Sequence, residues 1–154
     1  MHGRHPFTVC QCASPWRDGA HEHTQENCRK LCDQAVIVME RVLFAGGTIA
    51  IEWPTSCRYW HVRVVLKFIA KHKLQMANIY GCSFDARNSK GELVLKPLTK
   101  CTSSKSLYDR LAHRRCTRDH LHAEVHGRET PQSSRYPMEL ANLRHDEFKN
   151  TCQQ

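Results

Sequence analysis

Three groups of residues in this 154-residue chain have types and spacings suited to chemistry. The first is Cys10, in the stretch Val9-Cys-Gln-Cys-Ala-Ser-Pro-Trp16. A cysteine where a strand gives way to a loop is a nucleophile when its thiolate is stabilised. In a reduced protein it otherwise serves as a small packing residue. The second is Glu52, the one charged residue in the apolar run from Thr48 to Trp53. A carboxylate at the carboxyl end of a strand in a parallel sheet sits where such sheets hold ligands. Its plainer role is a strand-end side chain turned to water. The third is Cys116-x3-His120-x-His122, which are zinc-ligand types at short spacing. Two histidines two residues apart share one face of an extended segment. The spacing fits no standard zinc finger, and Cys82, Cys101 and His126 each remain open as the fourth ligand. The competing reading is a basic surface loop.

A basic run lies beside these groups: Lys96, Lys100, Lys105, Arg110, Arg114, Arg115 and Arg118. Such a run is either a solvated face or an edge that contacts phosphates. Lys96, Lys100, Arg114 and Arg115 are the candidate nucleic-acid contacts. The charge balance points the same way, with 23 Lys+Arg against 15 Asp+Glu and a formal net charge of +8. A polyanionic partner is expected, DNA first.

The pattern predicts the elements that position these residues. Residues 28–45 follow i, i+3, i+4, i+7 apolar spacing through Leu31, Cys32, Ala35, Val36, Met39 and Val42, a helix stopped by Gly46-Gly47. Thr48 to Trp53 reads as a strand closed by Pro54. Trp60 to Lys73 reads as a helix, Leu74 to Phe84 as a second strand, and Glu92 to Cys101 as a third, with a polar turn at 85–91 making a hairpin. Ser104 to Ala112 is a short helix capped by Ser103 or Ser104, and Tyr136 to Phe148 a last helix entered through Pro137. The strand–helix–strand order suggests a parallel crossover. The expected fold is therefore α/β, a partial doubly wound (Rossmann-like) sheet with a hairpin and a basic C-terminal helical and loop segment. Residues 1–27 form a His/Cys-rich segment holding the Cys10 loop, 28–112 the α/β core, and 113–154 a basic Cys/His-rich tail.

No apolar run approaches the ~18 residues of a membrane span, so no membrane partner is expected. The start of the chain lacks the apolar stretch of a secretory signal. Nine cysteines without such a signal fit reduced thiols in a cytoplasmic or nuclear protein.

Several short strings resemble cytosine-5 DNA methyltransferases. Cys10-Gln11-x-x-Ser14 is similar to their Pro-Cys-Gln loop, and Gly47-Thr-Ile-Ala-Ile-Glu52 to their apolar strand ending in Glu. The chain most resembles the methyltransferase-like domains of retroelement polyproteins. Ser14-Pro-Trp16, Gly46 to Pro54, Gly81-Cys-Ser-Phe84, Lys96-Pro97 and Cys116 to His122 occur in the order those domains show. The resemblance implies that Cys10 adds to C6 of a flipped cytosine while Glu52 holds N3, with S-adenosylmethionine as methyl donor. Val9 replaces the family's proline, Trp53-Pro54 replaces Asn-Val, and no Gly-containing cofactor turn precedes Pro6. The expectation is a truncated, inactive remnant of such a domain. It would lack the S-adenosylmethionine-binding half, which an N-terminal partner or polyprotein neighbour would supply. The alternative is a non-enzymatic, basic nucleic-acid-binding module stabilised by zinc.

Overall fold

The computed structural model describes residues 21–123 and 136–152. In chain order the elements are α1 (His21–Phe44), β1 (Ala50–Pro54), α2 (Arg63–Lys71), β2 (Gln75–Tyr80), β3 (Pro97–Thr102), α3 (Lys105–Ala112) and α4 (Met138–Cys152). Short 3-10 turns at Arg58–His61 and Gly81–Phe84 follow β1 and β2. No helix among the described residues is long and apolar enough to cross a membrane.

The mixed α/β class stands, but the parallel pairing of neighbours does not. The strand order is β1-β3-β2, and β3 is antiparallel to both its neighbours. The crossover through α2 does leave β1 and β2 running the same way. It also leaves a gap one strand wide between them. β3 returns into that gap and satisfies the inner backbone edges of both, as buried N–H and C=O groups require. Five of its six residues are therefore buried.

Strand alternation sends successive β3 side chains to opposite faces. Cys101 joins Val36, Ile49, Ile51, Cys57, Trp60, Phe68 and Leu74 in a core under α1 and α2. Leu98 joins Ala77, Ile79, Phe84, Leu107, Leu111, Leu140 and Leu143 in a second core under α3 and α4. Helices thus cover both faces of the sheet. The register pairs Lys100 with Glu52 on one side and Ala77 on the other. Those three side chains share the α3/α4 face.

Some boundaries move for local reasons. The second strand ends at Tyr80 because Gly81 is packed too tightly for a side chain. A Cβ there would come within 3.0 Å of Ala86 Cβ and Lys96 Cβ. The third strand starts at Pro97 rather than Glu92, since Lys96 takes a left-handed φ of 33° and breaks the extended run. Residues 87 and 93 form only an isolated bridge around the polar turn. Ser104 is the cap of α3, its hydroxyl accepting from Leu107 N at 3.1 Å.

Candidate metal centre

The turn after β2 and the loop after α3 bring four ligand-type side chains together. Cys82 lies in the 3-10 turn Gly81–Phe84. Cys116, His120 and His122 lie in the loop leading away from α3. That loop is pinned where it leaves α3 and again where it ends: Tyr80 N donates to Arg114 O at 3.3 Å, Ser83 Oγ donates to the same carbonyl at 3.1 Å, and Ala123 N donates to Leu93 O at 2.8 Å. The four donor atoms all lie within 4.8 Å of one another. Cys116 Sγ is 3.7 Å from His120 Nε2 and 3.3 Å from His122 Nε2. A tetrahedral zinc with Zn–S near 2.3 Å and Zn–N near 2.0 Å has S···N edges of about 3.6 Å. The Cys2His2 cluster is compatible with zinc.

The surroundings orient the ligands. His120 Nδ1 is 2.7 Å from Asp119 Oδ1, which itself accepts from Thr117 Oγ1 at 2.6 Å. A carboxylate on Nδ1 fixes the tautomer that leaves Nε2 as the ligand atom. Arg118 N donates to Cys116 Sγ at 3.3 Å, from a backbone held at φ 61°. Burial first, then Cys116, push the Cys82 thiol up to about 11. A divalent cation between the sulfurs reverses that preference, because it binds thiolates.

The three ligands expected from sequence thus come together, and of the open fourth ligands Cys82 completes the set. Cys101 belongs to the opposite core, where burial pushes its thiol up to about 12. His126 lies outside the described residues.

Glu52 occupies a different centre. Its side chain is 11% exposed, and Lys100 Nζ, with a side chain 0% exposed, lies 3.0 Å from Oε2. The Tyr136 hydroxyl donates to the same oxygen. Arg144 Nη1 donates to the Tyr136 oxygen at 3.0 Å. Lys100 Nζ also sits 5.3 Å from the centre of the Tyr136 ring. Burial lowers the Lys100 ammonium to about 8, with Glu52 opposing the shift. The carboxylate is therefore engaged by partners from β3 and from the segment leading into α4. The nearby pocket of about 100 Å³ is lined by Asp85, Arg87, Lys96 and Tyr136 among others, but not by Glu52. It is smaller than ordinary small-molecule sites. Cys10 lies outside the described residues, so its expected place beside Glu52 does too.

The candidate phosphate contacts fare differently from one another. Lys100 is corrected: a fully buried side chain in an ion pair cannot meet a phosphate at the surface. Arg114 is held by Glu139 at 2.6 Å and lies over the Phe84 ring at 5.1 Å. Lys96 is partly buried, and burial lowers its pKa. Arg115 is exposed. No family model, curated protein or solved structure matches the chain.

Proposed function

We propose that this chain is a non-enzymatic nucleic-acid-binding module whose C-terminal loop is stabilised by zinc. The observation that carries the reading is the convergence of Cys82, Cys116, His120 and His122 from two separate segments. Four protein ligands leave no open coordination position, which is the arrangement of a structural rather than a catalytic zinc. The formal charge of +8 supplies the affinity for a polyanion. Metal analysis of the purified protein tests it. The expected result is one zinc per chain, loss of stability in chelator, and salt-dependent binding to DNA. Absence of zinc with unchanged stability in chelator overturns the metal half. Absence of DNA binding at low salt overturns the other half.

A second reading is favoured by one feature. β1 and β2 run the same way, and Glu52 sits part-buried on one face of the sheet. This supports descent from the catalytic half of a cytosine-5 methyltransferase-like domain of a retroelement, with Cys10 and Glu52 as vestiges of its site. The hold of Lys100 and Tyr136 on Glu52 argues for a remnant without activity. S-adenosylmethionine would still need the half that the family carries upstream. Incubation with DNA containing 5-fluorocytosine and S-adenosylmethionine is expected to give no covalent adduct. An adduct that disappears in Cys10→Ser would replace the non-enzymatic reading with the enzymatic one.

A further inference from the structure

We infer that the outward face of α2 is a phosphate-binding surface, and that its partner is the backbone of a nucleic-acid duplex. This rests on the nucleic-acid half of the proposed function and names the surface responsible. From Trp53 to Phe84 the sequence holds five basic residues, Arg58, Arg63, Lys67, Lys71 and Lys73, and no Asp or Glu. Helix geometry sorts those that belong to α2. Val65 and Phe68 are buried, whereas Arg63, Lys67 and Lys71 are exposed. Their i, i+4, i+8 spacing makes one stripe about 12 Å long, with Lys73 exposed just past the helix end.

The stripe is poorly neutralised. No described acidic side chain forms an ion pair with Arg63, Lys67 or Lys73. Lys71 shares Glu40 of α1 at 2.7 Å. Like charges at i, i+4 destabilise an isolated helix, and α2 has no acidic residue of its own to offset them. Four of the seven residues in the basic run that stands out in the sequence are the reverse case. Lys105 is paired with Asp109, Arg110 with Asp146, Arg114 with Glu139 and Lys100 with Glu52. The residues flanking the α2 stripe on the same face are Leu66 and Ala70, both exposed. Neither can hydrogen-bond a base edge, and the charged side chains are assigned to phosphates.

The test is fluorescence anisotropy of the full, zinc-loaded chain with a mixed-sequence duplex of about 20 base pairs, over about 50 to 200 mM salt. Four phosphate contacts give a slope of log K against log salt of about −3.6. The triple variant Arg63→Gln, Lys67→Gln, Lys73→Gln is expected to bring the slope to about −1 and to weaken binding at least tenfold at the lowest salt. Glutamine keeps nearly the helix propensity of lysine and arginine, so zinc content and melting temperature should match wild type. The single variant Lys67→Gln should lower the slope by about 0.9 and gives the answer should the triple variant fold poorly. A control triple with the same charge change at exposed, ion-paired positions, Lys30→Gln, Arg87→Gln, Lys105→Gln, should bind almost as wild type. Equal losses in both triples would mean that net charge alone acts, and would overturn the inference. Undiminished binding by the α2 variants would overturn it while leaving the nucleic-acid reading intact. No binding by wild type would overturn both. Competition by poly-glutamate as effective as that by unlabelled duplex would assign the face to an acidic protein instead.

Discussion

Replacing Lys100 with methionine should change how stability depends on pH as well as stability itself. In the folded chain the ammonium titrates at about 8, against its ordinary 10.5. A depression of that size corresponds to about 3 kcal/mol between the charged and neutral forms. The sign follows from proton counting. Between pH 8 and 10.5 the unfolded chain holds a proton on Lys100 that the folded chain has released, so stability rises with pH across that window. The contribution is complete above 10.5 and is lost as pH falls through 8. Other groups titrate over the same range, Cys101 with the opposite sign because its folded value is raised. The informative quantity is therefore the difference between wild type and Lys100→Met. Urea unfolding at pH 7, 8, 9 and 10 should show the wild type gaining about 2.5 kcal/mol on the variant over the series. At pH 7 the variant should be less stable by up to about 3–5 kcal/mol, because removing Lys100 leaves the nearly buried Glu52 carboxylate without its counter-charge, with Tyr136 still donating to it. Parallel pH profiles would refute the reasoning. They would show that Lys100 is either solvated in the folded chain or fully compensated by Glu52.

Two further outcomes follow from hydrogen bonds around the metal ligands and α3. Asp119→Ala should keep one zinc per chain but weaken affinity by about 10- to 100-fold in chelator competition, because the orienting carboxylate on His120 is gone. Ser104→Ala removes the α3 cap together with a buried hydroxyl bond to Glu147, and should cost about 2 kcal/mol in urea unfolding. A loss under about 0.5 kcal/mol would show that water or another side chain replaces the hydroxyl.

What could be read in the sequence was mostly local. Of the α1 stripe, Cys32 and Val36 are buried and Met39 and Val42 half-buried, while Leu31 and Ala35 are exposed, and Gly46 ends the helix with a φ of 79°. Ser104 caps α3 because its hydroxyl needs only the next turn of chain. Three of the four metal ligands lie within seven residues and declare themselves by type. Cys82 could be named only as one of three candidates, since it joins them only when β2 and α3 pack together. The polar turn at 85–91 did show β2 and β3 as antiparallel neighbours, but the pairing of β3 with β1 was hidden, because apolar periodicity says that a strand is half-buried and not which strands flank it. The burial of Lys100 did leave a trace. Leu98, Lys100 and Thr102 alternate on one face, so a strand that buries Leu98 on that face carries Lys100 with it. An acidic residue in the facing strand, Glu52, was the available partner. Read as members of a charge run, Lys100 and Arg114 look like surface residues. The ion pairs that occupy them come from residues distant in sequence.

The insertion of β3 between β1 and β2 has a consequence for how the chain is made. β1 ends at Pro54 and β2 at Tyr80, yet both pair only with a strand that ends at Thr102. During synthesis at about 5–20 residues per second, β1 therefore waits about 2–10 s before its partner exists. Once Tyr80 has been added, two strands that are not neighbours in the finished sheet await the third, and each offers unpaired backbone to any neighbouring chain. Residues 97–102 act as a keystone: nascent chains halted before them hold most of the sheet's residues and none of its pairing.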